Sequence, residues 1–264
     1  MKLMETGPWG TGGCGHLTRR LNGCKQLTGR TLTRPFRTVA AWLVHAYTAS
    51  GAVLALAALG ATMRGDARAA FAWLLAATIV DSTDGVLARR FEVRTYAPGL
   101  DGARLDDIVD YLTFVFLPAF LVYQWEMVPP GWGLAVAAVM LLSSAAGFSA
   151  HDAKTDDHFF TGFPSYWNIV VLYLYAAPTG RWFNAVVLIV LAALVFVRVG
   201  YVYPTRTPTW RHVTLALAWL WAVTVAAIIW MLPRPPILLV IGSLAFPVYY
   251  IVLSLILQRG RRLA

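Results

Sequence analysis

From residue 39 onward, apolar stretches long enough to cross a bilayer follow one another with only brief polar breaks. A spanning helix needs about 20 predominantly apolar residues. Stretches approaching that length run over 39–63, 67–90, 105–125, 132–150, 166–177, 183–203, 213–232 and 237–258. In lipid, every backbone polar group must be satisfied within the protein, so only helices and closed barrels cross. A transmembrane barrel alternates apolar and polar residues at every second position, and these runs do not. The expected fold class is therefore all-α: a polytopic membrane helix bundle with about eight transmembrane helices. Charge supports this, because only 13% of the residues are charged, against about 25% in soluble domains.

The net charge of +9 is not a nucleic-acid footprint. The basic residues flank apolar runs and build no soluble basic face; they suit a surface that meets anionic lipid. With eight spans, both termini share a side. Arg64, Arg68, Arg181 and Arg234 fall opposite, and the rest of the 22 lysines and arginines stand with the termini. The positive-inside bias then predicts cytoplasmic termini. Residues 1–37 read as a basic cytoplasmic tail, with an interfacial helix near 27–36, and residues 38–264 as the transmembrane domain. No leader-like core precedes Thr38, so the first span is expected to stay as an anchor. The glycines of 7–15 lack the Gly-Lys-Ser/Thr of a phosphate loop, and Cys14 and Cys24 lack the paired spacing of a zinc site.

Two stretches place carboxylates at the ends of apolar runs. Ionisable groups at membrane depth are rare and tend to be functional. At 3.6 residues per turn, Asp81, Asp84, Gly85 and Ala88 fall within an arc of about 100°. Gly102, Asp106 and Asp110 follow at successive fourth positions, and Asp107 points elsewhere. The two stripes lie on consecutive antiparallel helices joined by a short loop, so they can face one another. Asp81 stands about 13 Å from the end of its helix at Arg90, an interfacial depth. Hard carboxylate oxygens suit Mg2+ or Mn2+ shared with substrate phosphates, and two such ions can clamp a phosphoryl centre. Small residues let a ligand approach the backbone, and Arg89 can pair with a phosphate or an aspartate. The same acids would also suit a proton relay in a proton-coupled transporter, and the small residues close helix packing. A transporter more often shows broken helices or related halves, which this sequence does not show.

The order Asp-x2-Asp-Gly-x2-Ala-Arg, then Gly-x3-Asp-x3-Asp, resembles the signature of the CDP-alcohol phosphatidyltransferase family. Here Asp81, Asp84, Gly85, Ala88, Arg89, Gly102, Asp106 and Asp110 carry it. The connection 90–101 is longer than the family's usual one. The resemblance implies displacement of CMP from a CDP-linked substrate by an alcohol, with Mn2+ or Mg2+, as two ions, for cofactor. It implies metal ligation by Asp81, Asp84, Asp106 and Asp110, and a CDP site lined by Asp84, Gly85, Ala88, Arg89, Gly102 and Asp106. Asp110 is implied as the catalytic base that takes the proton of the acceptor hydroxyl.

The longer connection and the stretches 45–51, 105–111 and 160–168 are similar to the bacterial branch of that family that joins CDP-diacylglycerol to choline. That resemblance implies phosphatidylcholine and CMP as products and a bacterial inner membrane as the location. Its implied partners are CDP-diacylglycerol, choline, membrane lipid and a second copy of the chain in a homodimer, with no nucleic acid. A quaternary ammonium donates no hydrogen bond and is held by aromatic faces and carboxylates. Tyr47, Tyr111, Tyr166 and Trp167, with Asn168, are thus choline-binding candidates, although each ring equally suits an interfacial belt. His45 and Asn168 can orient substrate or join helices by a hydrogen bond. His151, His158 and His212 are expected at the surface, since none has metal-ligand spacing. Serine, inositol or glycerol phosphate are alternative acceptors. A phosphorylated one would want a basic cluster near the site, for which Arg94, Arg104, Arg198 and Arg206 are available.

Overall fold

The computed structural model describes the backbone of residues 18–150, 159–161, 163–197, 200–202 and 211–262, and side chains within 34–150, 163–197 and 212–256. Helices α1 (Thr18–Met63) and α2 (Ala67–Arg90) form an antiparallel hairpin. Its turn is tight because Gly65 takes a φ of 71°, a region open to glycine at little cost. Asp66 then caps α2, its carboxylate accepting from the Ala69 N–H at 3.0 Å, as short acidic caps do. Buried alanines line the hairpin, including Ala55, Ala58 and Ala61 on α1 and Ala67, Ala70 and Ala77 on α2. Small side chains let helix backbones approach closely in lipid. α1 runs unbroken across residues 37 and 38, so the segment near 27–36 is helical and continuous with the first span.

The long connection after α2 is not loose. Its one-turn helix α3 (Val93–Tyr96) lies on α1, where Val93 and Ala97 bury against Ala41 and Val44. Arg37 of α1 fastens the same turn, donating to Glu92 at 3.3 Å and to the Tyr96 hydroxyl at 2.9 Å. This anchoring sets where the next helix starts. α4 (Gly102–Asp110) is capped by Asp101, which accepts from the N–H groups of Ala103 and Arg104. It passes into a wide π turn (Tyr111–Phe116), where the Leu117 N–H bonds the Leu112 carbonyl, and then into α5 (Leu117–Gln124). The third expected span is thus helical throughout, with its register shifted in the middle.

The remaining elements are α6 (Gly133–Ser149), strand β1 (Phe159–Thr161), α7 (Trp167–Ala176), α8 (Arg181–Leu194), strand β2 (Gly200–Val202), α9 (Arg211–Trp230), α10 (Ile237–Ser243) and α11 (Ala245–Arg262). Two expected spans differ from this. The sixth stops at Leu194, and the end of its apolar run pairs antiparallel with β1, Phe160 opposite Tyr201. Valine and tyrosine in this run favour that extended form. The eighth is divided at Leu244, just before Pro247, which a helix accepts most readily in its first turn.

Among the described residues, four stretches are long and apolar enough to cross a membrane: Arg34–Met63, Ala67–Arg90, His212–Trp230 and Ile237–Ile256. Three shorter apolar helices, α6, α7 and α8, accompany them. The core between these elements holds Leu121, Met140, Trp167, Leu172 and Leu188, none more than 2% exposed. Outward, Trp219, Trp230 and Leu238 are at least 74% exposed. Large apolar surfaces of this kind suit lipid better than water. The chain is an all-α membrane bundle, with one short two-stranded ribbon among the described residues.

Candidate active site

The helical period puts Asp81 and Asp84 on one face of α2, and Asp106 one turn into α4. Folding brings the three together: one carboxylate oxygen from each lies within 4.8 Å of the others. Asp84 is buried and its two companions are half-buried. Three carboxylates this close repel one another strongly in a medium of low polarity, and a divalent cation relieves that repulsion. The donor set is all hard oxygen, which fits Mg2+ or Mn2+.

The third participant is α1, and the spacing of the acids alone did not place it. The Thr48 hydroxyl donates to Oδ2 of Asp84 at 2.8 Å, and the hydroxyls of Tyr47 and Thr83 lie 2.8 Å apart. One turn on, Gly51 packs so closely on Val109 of α4 that a Cβ there would collide with the valine side chain. One turn back, His45 lies over Gly102. His45, Thr48 and Gly51 recur at every third position, forming one stripe of α1. That stripe holds α2 and α4 at the distance that lets their acids meet.

Glycine and arginine of the signature are also close. The Arg89 guanidinium curls back over Gly85, its Nη1 3.5 Å from where a Cβ would stand. An exposed cation is thereby kept one residue from Asp84. Ala88 is half-buried on the same helix. Asp110 ends α4 where the π turn begins. It is outside the trio, as is Asp107. Wide turns of this type inside helices frequently accompany functional sites.

The five residues considered for choline have partners in different parts of the bundle. Trp167 is fully buried, its indole N–H donating to Ser144 at 2.7 Å and its ring edge-on to Phe163. Asn168 donates to Thr78 of α2 at 3.0 Å, joining α7 to the helix that carries Asp81. Tyr111 donates to the Leu141 carbonyl at 2.9 Å. Tyr166 meets Phe114 edge-on and is 40% exposed. Tyr47 is the member whose hydroxyl adjoins the acid layer, through Thr83. Of the three histidines expected at the surface, His212 is exposed, while His151 and His158 fall outside the described residues. Thr48 is the residue that sequence reasoning left out. Its signal was a hydroxyl on a face of the first span shared with a histidine and a glycine.

No family model matches the chain. Individual relatives do. A protein of Pseudomonas aeruginosa named phosphatidylcholine synthase is 38% identical over 206 residues, which is 78% of this chain and 87% of the relative. One of Rhizobium meliloti with the same name is 33% identical over 225 residues, 85% of this chain and 93% of the relative. A third, of Legionella pneumophila, is 44% identical over 169 residues, 63% of this chain and 66% of the relative.

Proposed function

This chain belongs to the phosphatidylcholine synthase family, and from that membership we propose that it transfers the phosphatidyl group of CDP-diacylglycerol to choline. The choline hydroxyl oxygen forms a bond to the lipid-linked phosphorus. The bond from that phosphorus to the bridging pyrophosphate oxygen breaks, and CMP leaves with its electron pair. The proton of the choline hydroxyl passes to Asp110, the half-buried carboxylate at the end of α4. The observation that carries this reading is the trio Asp81, Asp84 and Asp106, drawn from the two halves of the signature to within 4.8 Å.

Asp81, Asp84 and Asp106 would hold Mn2+ or Mg2+, with Asp110 able to join them at a second ion. Bound there, such an ion would neutralise pyrophosphate charge and make CMP a better leaving group. The chain's own residues do the rest. Thr48 orients Asp84. Gly85 and Ala88 leave room for the donor, Gly102 leaves room for the His45 ring, and Arg89 offers its guanidinium to a phosphate oxygen, a strong charge-assisted contact. Tyr47 is the aromatic side chain best suited to the choline ammonium, through its link to Thr83 beside Asp84. Cytoplasmic termini in a bacterial inner membrane belong to the same reading, supported by the distribution of lysine and arginine. So does a homodimer, which crosslinking in native membranes tests.

Membranes containing the full chain, given CDP-diacylglycerol, Mn2+ and radiolabelled choline, should yield labelled phosphatidylcholine and one CMP for each. Parallel reactions with serine, inositol and glycerol phosphate should yield none. Labelled product from one of those, with none from choline, would overturn the acceptor assignment.

A further inference from the structure

Among the described residues, one buried side-chain polar atom lacks a hydrogen-bond partner: Nε2 of His45. The side chain is only 5% exposed. Native proteins satisfy nearly all buried polar groups, so an orphan beside a reactive centre points to a ligand. Its surroundings define which part of a ligand it meets. His45 lies one turn from Thr48, about 4.5 Å along α1 toward its N-terminus. Its Cε1 and Nδ1 stand 3.1 and 3.5 Å from where a Cβ on Gly102 would be. The ring therefore lies on the first residue of α4, and Nε2 is one bond from the atom that touches it. Trp42 closes another side, edge-on at 5.9 Å. Gly102 thus has a reason to be glycine: a methyl group there would press on the imidazole.

Resting on the phosphatidyltransferase reading above, we infer that His45 Nε2 hydrogen-bonds the cytidine nucleotide half of the donor lipid. The carboxylate trio takes the pyrophosphate. His45 lies beyond it, toward the N-terminal ends of α1 and α4, which face the cytoplasm in that reading. The hydrocarbon tails and the choline ammonium offer no hydrogen bond, and the choline hydroxyl is placed at Asp110 in that reading. A nucleoside offers ribose hydroxyls, base nitrogens and a base carbonyl, all suited to an imidazole nitrogen. The α1 contribution to the site is then twofold: Thr48 orients a carboxylate, and His45 touches substrate.

The test uses the full chain and three variants. His45→Leu removes the nitrogen and retains apolar bulk. His45→Gln returns a polar nitrogen near the Nε2 position, and His45→Asn keeps a polar group too short to reach it. The KM for CDP-diacylglycerol and the inhibition constant of CMP should rise about tenfold in the leucine and asparagine variants, the effect of losing one good hydrogen bond. The KM for choline should stay within twofold, and glutamine should recover most of the loss. Unchanged CMP inhibition overturns the assignment, as does a rise in the choline KM alone. Glutamine no better than leucine assigns His45 to packing and overturns it too. Thermal stabilisation of the purified protein by CMP with Mn2+ separates the two readings. Stabilisation of wild type that His45→Leu and His45→Asn lose supports His45 even if choline proves not to be the acceptor. No stabilisation of wild type overturns the nucleotide site itself. If the leucine variant does not accumulate, the asparagine variant alone decides against glutamine.

Discussion

Replacing Thr48 with valine removes one hydroxyl and leaves the branched shape of the side chain. In the structure that hydroxyl donates a 2.8 Å hydrogen bond to Oδ2 of Asp84, a carboxylate only 7% exposed. Water cannot readily replace the bond. Hydrogen bonds to charged groups contribute about 1.5–3 kcal/mol. At about 1.4 kcal/mol per decade, the loss amounts to roughly 10- to 150-fold in an equilibrium that depends on a correctly held Asp84. Partners that orient metal-ligating side chains typically change metal affinity by about 10- to 100-fold when lost. The two ranges overlap, so Thr48→Val should raise the free Mn2+ needed for half-maximal choline incorporation by about 10- to 100-fold. Thr48→Ser, which keeps the donor, should stay close to wild type. The assay titrates buffered Mn2+ at saturating CDP-diacylglycerol and choline, with the thermal midpoint of each variant measured alongside. A folded valine variant whose Mn2+ requirement is within twofold of wild type would refute the role given to α1.

Further substitutions separate chemistry from packing. Asp84→Asn should abolish turnover and metal-dependent CMP binding, whereas Asp110→Asn should abolish turnover and leave CMP binding largely intact; equilibrium binding of labelled CMP distinguishes them. Gly51→Leu should force α1 from Val109 and destabilise the protein by about 1–3 kcal/mol, the usual range for overpacking; a thermal midpoint equal to wild type would contradict the close approach. Trp167→Phe removes the donor to Ser144 and should lower stability by about 1 kcal/mol with the choline KM unchanged. A selective rise in that KM would return Trp167 to the choline site.

The aspartate layer was legible because helical geometry is local. Asp81 and Asp84, three residues apart, share a face wherever α2 packs, and Asp106 sits on the next long helical run. Being consecutive along the chain makes those helices neighbours. The pairing of α1 with α2 was similarly legible, from two long apolar runs separated by one brief polar break. What could not be read depends on how separate elements dock. The bond from Thr48 to Asp84 needs the rotation of α1 about its axis, which its evenly apolar sequence leaves open. The π turn at Tyr111–Phe116 has no composition of its own by which a sequence could announce it. The long connection 90–101 read as a complication for placing Gly102. In the structure it is a clasp, because Val93 and Ala97 give it a small apolar core on α1. Gly200–Val202 read as the end of a span because an apolar valine-rich run suits either a buried helix or a strand. Residue type left Trp167 and Asn168 open between a ligand and a packing role, and their hydrogen bonds join α7 to α6 and α2.

The central claim is that Asp81, Asp84 and Asp106 together hold a divalent cation at the point where CMP departs. Anomalous diffraction at the manganese edge, from crystals grown with CMP and Mn2+, measures this directly. The account predicts a manganese peak bonded to oxygens of all three aspartates, with a nucleotide phosphate beside it. A clear CMP density with manganese bound elsewhere, or with the three carboxylates turned away from it, would contradict the account.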